Sequence, residues 1–216
     1  MHNYTKIAEL AAAGRETMIA RRRDFHRYAE AAWTEFRTAA IVADTLAKLG
    51  YEVLAGDEVI TGNVMYEVPS AIELEHHIRR AITQGAKSSW VRKLAGGKTG
   101  IVGIMRFSPA GPAVGLRFDM DANTVTESDN PDHYPRREGF ASVNRGVMHA
   151  CGHDGHTAVG LAVAEILAAV QGSLSGSVIL MFQPAEEGAH GATAMVDHSF
   201  FTGLDYLLGM HLGLKT

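Results

Sequence analysis

The chain has 216 residues, of which 46% are hydrophobic and 20% charged, and its formal net charge is −4 at pH 7. These values are typical of a globular domain and argue against the basic surface of a nucleic-acid-binding protein. The single cysteine, Cys151, excludes a disulfide framework within the chain and indicates a reducing compartment. The N-terminus lacks the apolar core of a signal peptide, and no run approaches the roughly 18 apolar residues of a membrane span, so we expect a cytoplasmic protein.

The first part of the chain has a helical pattern. Residues 4–49 carry apolar residues at helical spacing in two pieces, and Gly50 is placed to end the second helix. The run Arg21–Arg23 could clamp a phosphate or carboxylate, but a solvated helix face that pairs with Glu30 or other acids is the favoured interpretation. His26 is interpreted as a partly buried helix histidine.

A short strand and two more helices are predicted next. Residues 51–54 favour a strand, and residues 69–98 favour a helix through Gln84 and a second short helix that ends at Gly96–Gly97. The adjacent pair His76–His77 could suggest a metal site. Neighbouring helix positions point about 100° apart, so we expect this pair at the surface instead.

Strands and helices alternate through the rest of the chain. Residues 99–107 and 113–118 predict two strands that form a hairpin or lie side by side in one sheet. Residues 123–145 are polar and predict a long, functional loop. A buried strand at 176–182, a short helix through Val196 and a strand at 205–210 follow. This alternation predicts an α/β fold, with helices on the faces of a sheet.

The segment His149–His156, which reads HACGHDGH, concentrates possible metal ligands. On a helix, Cys151 and His153 would lie about 200° apart, whereas a turning segment could bring both to one point. We therefore predict a metal-binding loop that leads into a helix from Thr157, capped by Asp154 or Thr157. The alternative is a buried structural cysteine beside surface histidines.

Further polar residues follow the predicted strands. Asp119 and Asp121 end one strand, the pair Glu186–Glu187 follows another, and His211 follows the last. Ligands of α/β proteins bind at this edge of the sheet, so these residues and the HACGHDGH segment are expected to meet there. If one glutamate of the pair binds a cation, the other can serve as a general base. The alternatives are an exposed acidic turn and strand-end caps, and His133, His190 and His198 are expected at the surface.

A site of thiolate, imidazole and carboxylate groups suits zinc, manganese or cobalt, and a thiolate can bridge two cations. The whole pattern resembles the M20 metallopeptidase family, in its amidohydrolase branch. Four motifs carry the resemblance, in this order: DMDA at Asp119–Ala122, HACGHDGH at His149–His156, QPAEEG at Gln183–Gly188 and G-x-H at Gly209–His211. The resemblance implies the catalytic domain of a zinc-peptidase-like (phosphorylase/hydrolase-like) fold, a mixed sheet flanked by helices.

The resemblance also implies a role for each site residue. Cys151 would bridge two divalent ions, Mn²⁺ or Zn²⁺. Glu186 would be the general base that activates a water, and Asp121 would support the site from behind the ligands. The further ligands would be His153, Glu187 and His211.

The branch cleaves the amide between an acyl group and an amino acid. The segments RRDFHRYAEAAWTEFRTA, QGAKSSWVRKLAGGKTGIV and GFASVNRGVMHACGHDGHTA are similar to members that act on p-aminobenzoyl-glutamate. We expect a small N-acyl amino acid as substrate, no nucleic acid or membrane partner, and a homodimer or a heterodimer with a paralogous subunit. The alternatives are an aminoacylase or carboxypeptidase for other N-acyl amino acids, and a metal-binding module without catalysis.

Two departures from the family pattern bear on these expectations. A fifth ligand, a histidine, and a lid or dimerisation domain would be expected downstream of His211, so residues 1–216 would form the N-terminal part of the catalytic domain. The isolated chain is expected to hydrolyse little. Asn123 stands where the family usually has leucine, which would alter the turn at the strand end.

Overall fold

A five-stranded sheet forms the centre of the chain in the computed structural model, which describes residues 2–188, 191–196 and 198–213. The strands lie in the order β1-β2-β4-β3-β5; β1 and β2 pair antiparallel, as do β2 and β4, whereas β3 is parallel to both β4 and β5. Their bounds are Glu52–Ala55 (β1), Ile101–Ser108 (β2), Ala113–Asp119 (β3), Gly176–Gln183 (β4) and Tyr206–Gly209 (β5). The predicted mixed sheet flanked by helices is therefore confirmed.

Helices lie on both sides of this sheet. The longest, His153–Val170, has 18 residues and connects the parallel strands β3 and β4. In the described part of the chain the α-helices are His2–Ala13 (α1), Arg15–Arg27 (α2), Phe36–Lys48 (α3), Ala71–Thr83 (α4), Ser88–Val91 (α5), Tyr134–Arg137 (α6), His153–Val170 (α7) and Gly191–Met195 (α8). Short 3₁₀ turns occupy Gly56–Glu58, Gly62–Val64, Arg92–Gly97, Gln171–Ser173 and Ser199–Phe201.

The central strand β4 is apolar without interruption from Val178 to Phe182 because both of its faces are buried. Successive side chains of a strand point to opposite faces, so Val178, Leu180 and Phe182 pack with α3 and α7, whereas Ile179 and Met181 pack with α8 on the other face. A strand buried on both faces has no solvent side on which polar residues would be favoured.

Helix α7 packs closely on β3 and β4. A Cβ atom at Gly160 would lie 2.7 Å from Phe182 and 2.8 Å from Phe118, so glycine permits this approach. By length and composition alone, residues 153–173 could cross a membrane, which corrects the prediction that no run approaches such a span. In the fold, the first turn buries His153, Asp154 and His156, and the composition matches that of a core helix.

Several local predictions were wrong. Residues 4–49 form three helices, because α1 and α2 are separated at Gly14. β2 and β3 form no hairpin, since β4 lies between them. The long loop contains the short helix α6. Helix α7 begins at His153 rather than Thr157, and its N-cap Gly152 replaces the predicted side-chain cap.

The parallel strands determine where the polar residues gather. β3, β4 and β5 run in the same direction, so Asp119, Gln183 and Gly209 end at the same edge of the sheet. The HACGHDGH segment reaches this edge too, because α7 begins there and packs back along β3 and β4. The side chains of β5 are exposed, since among the described residues it pairs with β3 alone.

Candidate metal centre

Cys151 and His153 are brought together by a tight turn. Gly152 between them has φ +99°, in the left-handed region that glycine adopts without strain. The turn directs both side chains to one point, where they meet the segment after β5. The ligand atoms of Cys151, His153 and His211 all lie within 4.8 Å of one another.

The side chain of His211 is oriented by its own segment. Its Nδ1 donates to the Leu212 carbonyl oxygen at 2.9 Å, so Nε2 is the unprotonated nitrogen that can accept. Cys151 Sγ lies 3.4 Å from this Nε2 atom. The thiol and the imidazole therefore face each other across a gap in which both could bind one cation.

His153 offers an uncommitted nitrogen to the same space. Its Nδ1 donates to the Asp121 carbonyl oxygen at 2.9 Å and fixes the ring. Its Nε2 is buried and has no hydrogen-bond partner among the described residues. Glu186 Oε2 lies 3.7 Å and Glu187 Oε1 3.8 Å from that nitrogen. A buried acceptor facing carboxylates and a thiol is the pattern of a metal ligand.

The Glu186–Glu187 turn is held by two buried carboxyl groups. Asp121 Oδ2 accepts from the Glu187 backbone N–H at 2.9 Å, and Glu35 Oε1 accepts from the Ala185 N–H at 2.9 Å. Ala185 has φ +53°, an uncommon conformation that these bonds help to fix. The two glutamate side chains are 37% and 23% exposed, so the turn is held in place but its side chains are only partly buried.

The electrostatics of the site favour a bound positive charge. Burial and the carboxylates of Glu187, Glu186 and Asp119 raise the pKa of the Cys151 thiol to about 11. Burial alone would lower the pKa of His153, but Asp121 and Asp119 outweigh it and raise the pKa to about 8. The carboxylates contribute to both shifts, and a divalent cation would neutralise their negative charge as it displaces the protons. The donor set therefore fits a borderline divalent metal.

Asp119 and His156 act beside this cluster. His156 Nδ1 donates to Asp119 Oδ2 at 3.1 Å, and Nε2 accepts from the Leu212 N–H at 3.0 Å. Both ring nitrogens are thus occupied, so His156 ties the segment of His211 to the end of β3. The motifs gave His156 no role, although its spacing from His153 by three residues on a helix indicates a shared face.

Asn123, which departs from the family pattern, anchors the Cys151 turn. Its Oδ1 accepts from the Ala150 N–H at 3.0 Å and from the Cys151 N–H at 3.1 Å. Its backbone also pairs with Met148 in an isolated antiparallel bridge. An asparagine in a loop carries no sequence signal for such a contact.

The arginines and His26 lie behind the site. Arg21 pairs with Glu165 and Arg22 with Asp154, both at 2.8 Å. Pairing with acids was predicted, but the partners are not Glu30. His26 is fully buried rather than partly buried, and its two nitrogens bond Asp154 and Glu127 at 2.9 Å.

Four further histidines, His76, His77, His133 and His198, belong to none of the candidate ligand groups among the described residues. His133 bonds Glu127 at 2.9 Å and His198 bonds Thr61 at 3.0 Å. His190 lies outside the described residues. His76 is exposed as predicted, but His77 is half-buried and lines a cavity.

Comparisons with known proteins agree with the motif resemblance. Residues 115–216 match the model of Peptidase family M20/M25/M40. The chain is 46% identical over 192 residues to one of the subunits of p-aminobenzoyl-glutamate hydrolase from Escherichia coli (strain K12). It is 45% identical, also over 192 residues, to indole-3-acetyl-aspartic acid hydrolase of Enterobacter agglomerans. Each alignment covers 89% of this chain and 44% of the relative.

A solved structure shows the same fold. The aminobenzoyl-glutamate utilization protein from Klebsiella pneumoniae superposes with a TM-score of 0.81 at 36% identity, over 96% of this chain and 46% of that chain. The chain thus spans less than half the length of these relatives.

Proposed function

We propose that this chain, whose residues 115–216 match the model of Peptidase family M20/M25/M40, serves a metal-dependent amidohydrolase, which cleaves the amide bond of an N-acyl amino acid. The observation that carries the proposal is the convergence of Cys151, His153, His211 and the Glu186–Glu187 turn at one edge of the sheet. A binding module without catalysis would have no use for a second, adjacent glutamate.

We assign the cation ligands by the direction of their free atoms. Cys151 lies with His153 and His211, and His153 is shared with the Glu186–Glu187 pair, so the two sets of ligand atoms adjoin. The bridging role of Cys151 between two ions is taken from the family resemblance. His153 Nε2 and Glu187 Oε1 face the same gap from the other side. Bound there, divalent cations would supply Lewis acidity toward the amide carbonyl and toward water. The metal would be Mn²⁺ or Zn²⁺, and the ligands would be Cys151, His153, Glu187 and His211.

Glu186 is assigned the proton transfer. Its carboxylate is partly exposed, so it can reach both the solvent and a substrate at the edge of the sheet. Its Oε2 would take a proton from the attacking water and deliver it to the leaving amide nitrogen. Asp121 would be a positioning residue, because it holds the Glu187 N–H with its side chain and the His153 ring with its backbone.

Two acyl groups are supported by the relatives. One relative belongs to p-aminobenzoyl-glutamate hydrolase and the other is an indole-3-acetyl-aspartic acid hydrolase, and they match with almost equal identity. Both substrates join an aromatic acyl group to an acidic amino acid. We propose p-aminobenzoyl-glutamate first, because the utilization protein of the same compound shares the fold at a TM-score of 0.81. Parallel assays with p-aminobenzoyl-glutamate, indole-3-acetyl-aspartate, hippurate and acetyl-amino acids separate the candidates.

The decisive experiment compares two neighbouring glutamates in the protein at its natural length. We expect Glu186→Gln to retain metal in elemental analysis and to lose at least about 100-fold in kcat, since general base catalysis contributes about that much. Glu187→Gln is the matched control and should lose metal. Full turnover in Glu186→Gln would refute the assigned role, and loss of metal in both variants would make Glu186 a ligand instead.

The domain, the partner and the location of the enzyme are further parts of the proposal. We infer that residues 1–216 form the N-terminal part of a catalytic domain, and that the protein acts as a homodimer or with a paralogous subunit, because the Escherichia coli relative is one of the subunits of its hydrolase. The lone thiol in the site supports a reducing, cytoplasmic location.

A further inference from the structure

A cavity of about 620 Å³ opens beside the candidate metal centre. It is lined by Ala185 and Glu187 of the glutamate turn and also by Trp33, Tyr66 and Val125. This volume lies within the range of small-molecule sites. The cavity begins at a proposed ligand, so a substrate whose amide lies at the metals would extend into it with one of its two halves.

The walls of the cavity expose apolar surface. Tyr66 and Val125 are 54% and 48% exposed, although both line this concave space. The Trp33 indole N–H already donates to the Tyr66 carbonyl oxygen at 2.8 Å, so the ring presents no free donor. A flat apolar group in the cavity would cover this surface, and aromatic contacts would add to the gain.

The charge of the cavity opposes an anion. Among the described residues, no lysine or arginine lines it, whereas Glu67 does. Glu187 also lines it, but its carboxylate is assigned to the proposed cations. His77 also lines it, and burial together with the charges of Arg80 and His76 lowers the pKa of His77 to about 4. The imidazole is therefore neutral near pH 7 and offers no positive charge.

We propose that this cavity binds the uncharged aromatic acyl half of the substrate and excludes the amino-acid half. The proposal rests on the proposed function. An acidic amino acid carries two carboxylates near neutral pH, and in this cavity these would face Glu67 with no lysine or arginine among the described lining residues to pair with. A benzoyl or indolyl group carries no charge and would be buried against Tyr66 and Val125.

The test changes the charge of one cavity wall. Val125 lies on the exposed wall and outside the proposed catalytic residues, so Val125→Lys adds a cation there, and Val125→Met is the matched neutral control. Both are made in the Glu186→Gln background at natural length, and dissociation constants are measured by calorimetry. The ligands are benzoyl-glutamate, acetyl-glutamate, benzoyl-alanine and 4-carboxybenzoyl-glutamate.

With Val125 present, we expect benzoyl-glutamate to bind about 10-fold tighter than acetyl-glutamate. We expect 4-carboxybenzoyl-glutamate to bind about 10-fold weaker than benzoyl-glutamate. Each factor corresponds to about 1.4 kcal/mol in the free energy of binding. Val125→Lys should recover most of the affinity that the extra carboxylate of 4-carboxybenzoyl-glutamate costs, and Val125→Met should not. If Val125→Lys instead tightens benzoyl-glutamate over benzoyl-alanine, the cavity holds the amino-acid half. Equal effects of both variants on all ligands would show that the cavity binds no part of the substrate. A failed proposed function is seen separately, as undiminished turnover in Glu186→Gln.

Discussion

Glu35 provides a test of how the Glu186–Glu187 turn is supported. The side chain is fully buried, with Oε1 accepting from the Ala185 N–H at 2.9 Å and Oε2 lying 2.6 Å from Thr99 Oγ1. Burial, followed by the charge of Asp121, raises the pKa of Glu35 to about 8. The carboxyl group is therefore protonated at pH 6, and its proton lies toward Thr99. The Thr99 hydroxyl can then donate to the Gly97 carbonyl oxygen at 3.3 Å.

Glutamine reproduces this pattern. In Glu35→Gln, the amide oxygen would accept from Ala185 and the NH₂ group would donate to Thr99. We expect a loss of less than about 1 kcal/mol in the free energy of unfolding at pH 6, because no buried group loses its partner. Glu35→Ala should cost about 3 kcal/mol, since it leaves the Ala185 N–H unsatisfied and opens a cavity.

The contribution of Glu35 to the free energy of unfolding depends on pH, and the direction follows from its raised pKa. The folded-state pKa of Glu35, about 8, lies above the ordinary value of 4.5. Between these values the native state holds a proton that the unfolded chain has released, so this contribution to stability falls as the pH rises from about 4.5 to about 8. The slope is at most about 1.4 kcal/mol per pH unit, and Glu35→Gln removes it. The stability of the variant relative to the natural protein should therefore increase between pH 6 and pH 8.

Glu30 supplies a matched control. It is equally buried, but Oε1 accepts from the Arg37 N–H at 3.0 Å and Oε2 from the Thr38 N–H at 2.8 Å. A backbone N–H group can only donate a hydrogen bond, so the NH₂ group of Glu30→Gln would face an N–H group with no acceptor. We expect a loss of about 2 to 3 kcal/mol at pH 6. Burial raises the pKa of Glu30 as well, so this variant serves as the control at pH 6 only.

Urea unfolding followed by circular dichroism at pH 6.0 and pH 8.0 measures all these differences. The reasoning fails if Glu35→Gln costs as much as Glu30→Gln at pH 6.0. It also fails if the difference in the free energy of unfolding between Glu35→Gln and the natural protein is the same at both pH values.

Two further substitutions test the anchoring of the site and the packing behind it. Asn123→Leu removes the acceptor for the Ala150 and Cys151 N–H groups, so we expect about 10-fold weaker metal binding in chelator competition. Asn123→Asp is the control, because it retains the acceptor. Unchanged metal affinity in Asn123→Leu would make the anchor dispensable. Gly160→Ala would force a Cβ atom against Phe118 and Phe182 and should cost about 1 to 3 kcal/mol in urea unfolding, whereas Gly172→Ala, with nothing within 4 Å, should cost little. Equal midpoints for these two variants would contradict the packing argument.

The fold was predictable where the sequence pattern reports burial. The unbroken apolar run of β4 indicated a strand covered on both faces, and both faces are indeed covered. The pairing of β2 with β3 was not predictable in this way. A short turn between two strands favours a hairpin, but β4 pairs with both strands and separates them. Strand order depends on contacts between distant segments, and local periodicity carries no record of them.

The candidate ligands were predictable because metal chemistry restricts the residue types. Cysteine, histidine and paired glutamates at strand ends form an unusual pattern, and they lie together in the structure. The supporting residues have no such pattern. Glu35 contacts Ala185 across 150 residues of sequence, and its sequence context is that of any glutamate before a helix. Asn123 differs from the family residue, which hid its contact with the Cys151 turn.

The supporting contacts share one physical feature, which is that most of them hold backbone groups. Each loop that carries a candidate ligand is fixed through a main-chain N–H or C=O group to a polar side chain or carbonyl from another segment. The anchored groups are the N–H of Cys151, Ala185, Glu187 and Leu212, and the carbonyl of Asp121 that orients His153. Because the anchors do not involve the ligand atoms, the loops can hold their positions before a cation arrives. The ligand side chains then lose little further freedom on binding, and the negative charge they gather is left for the metal to neutralise.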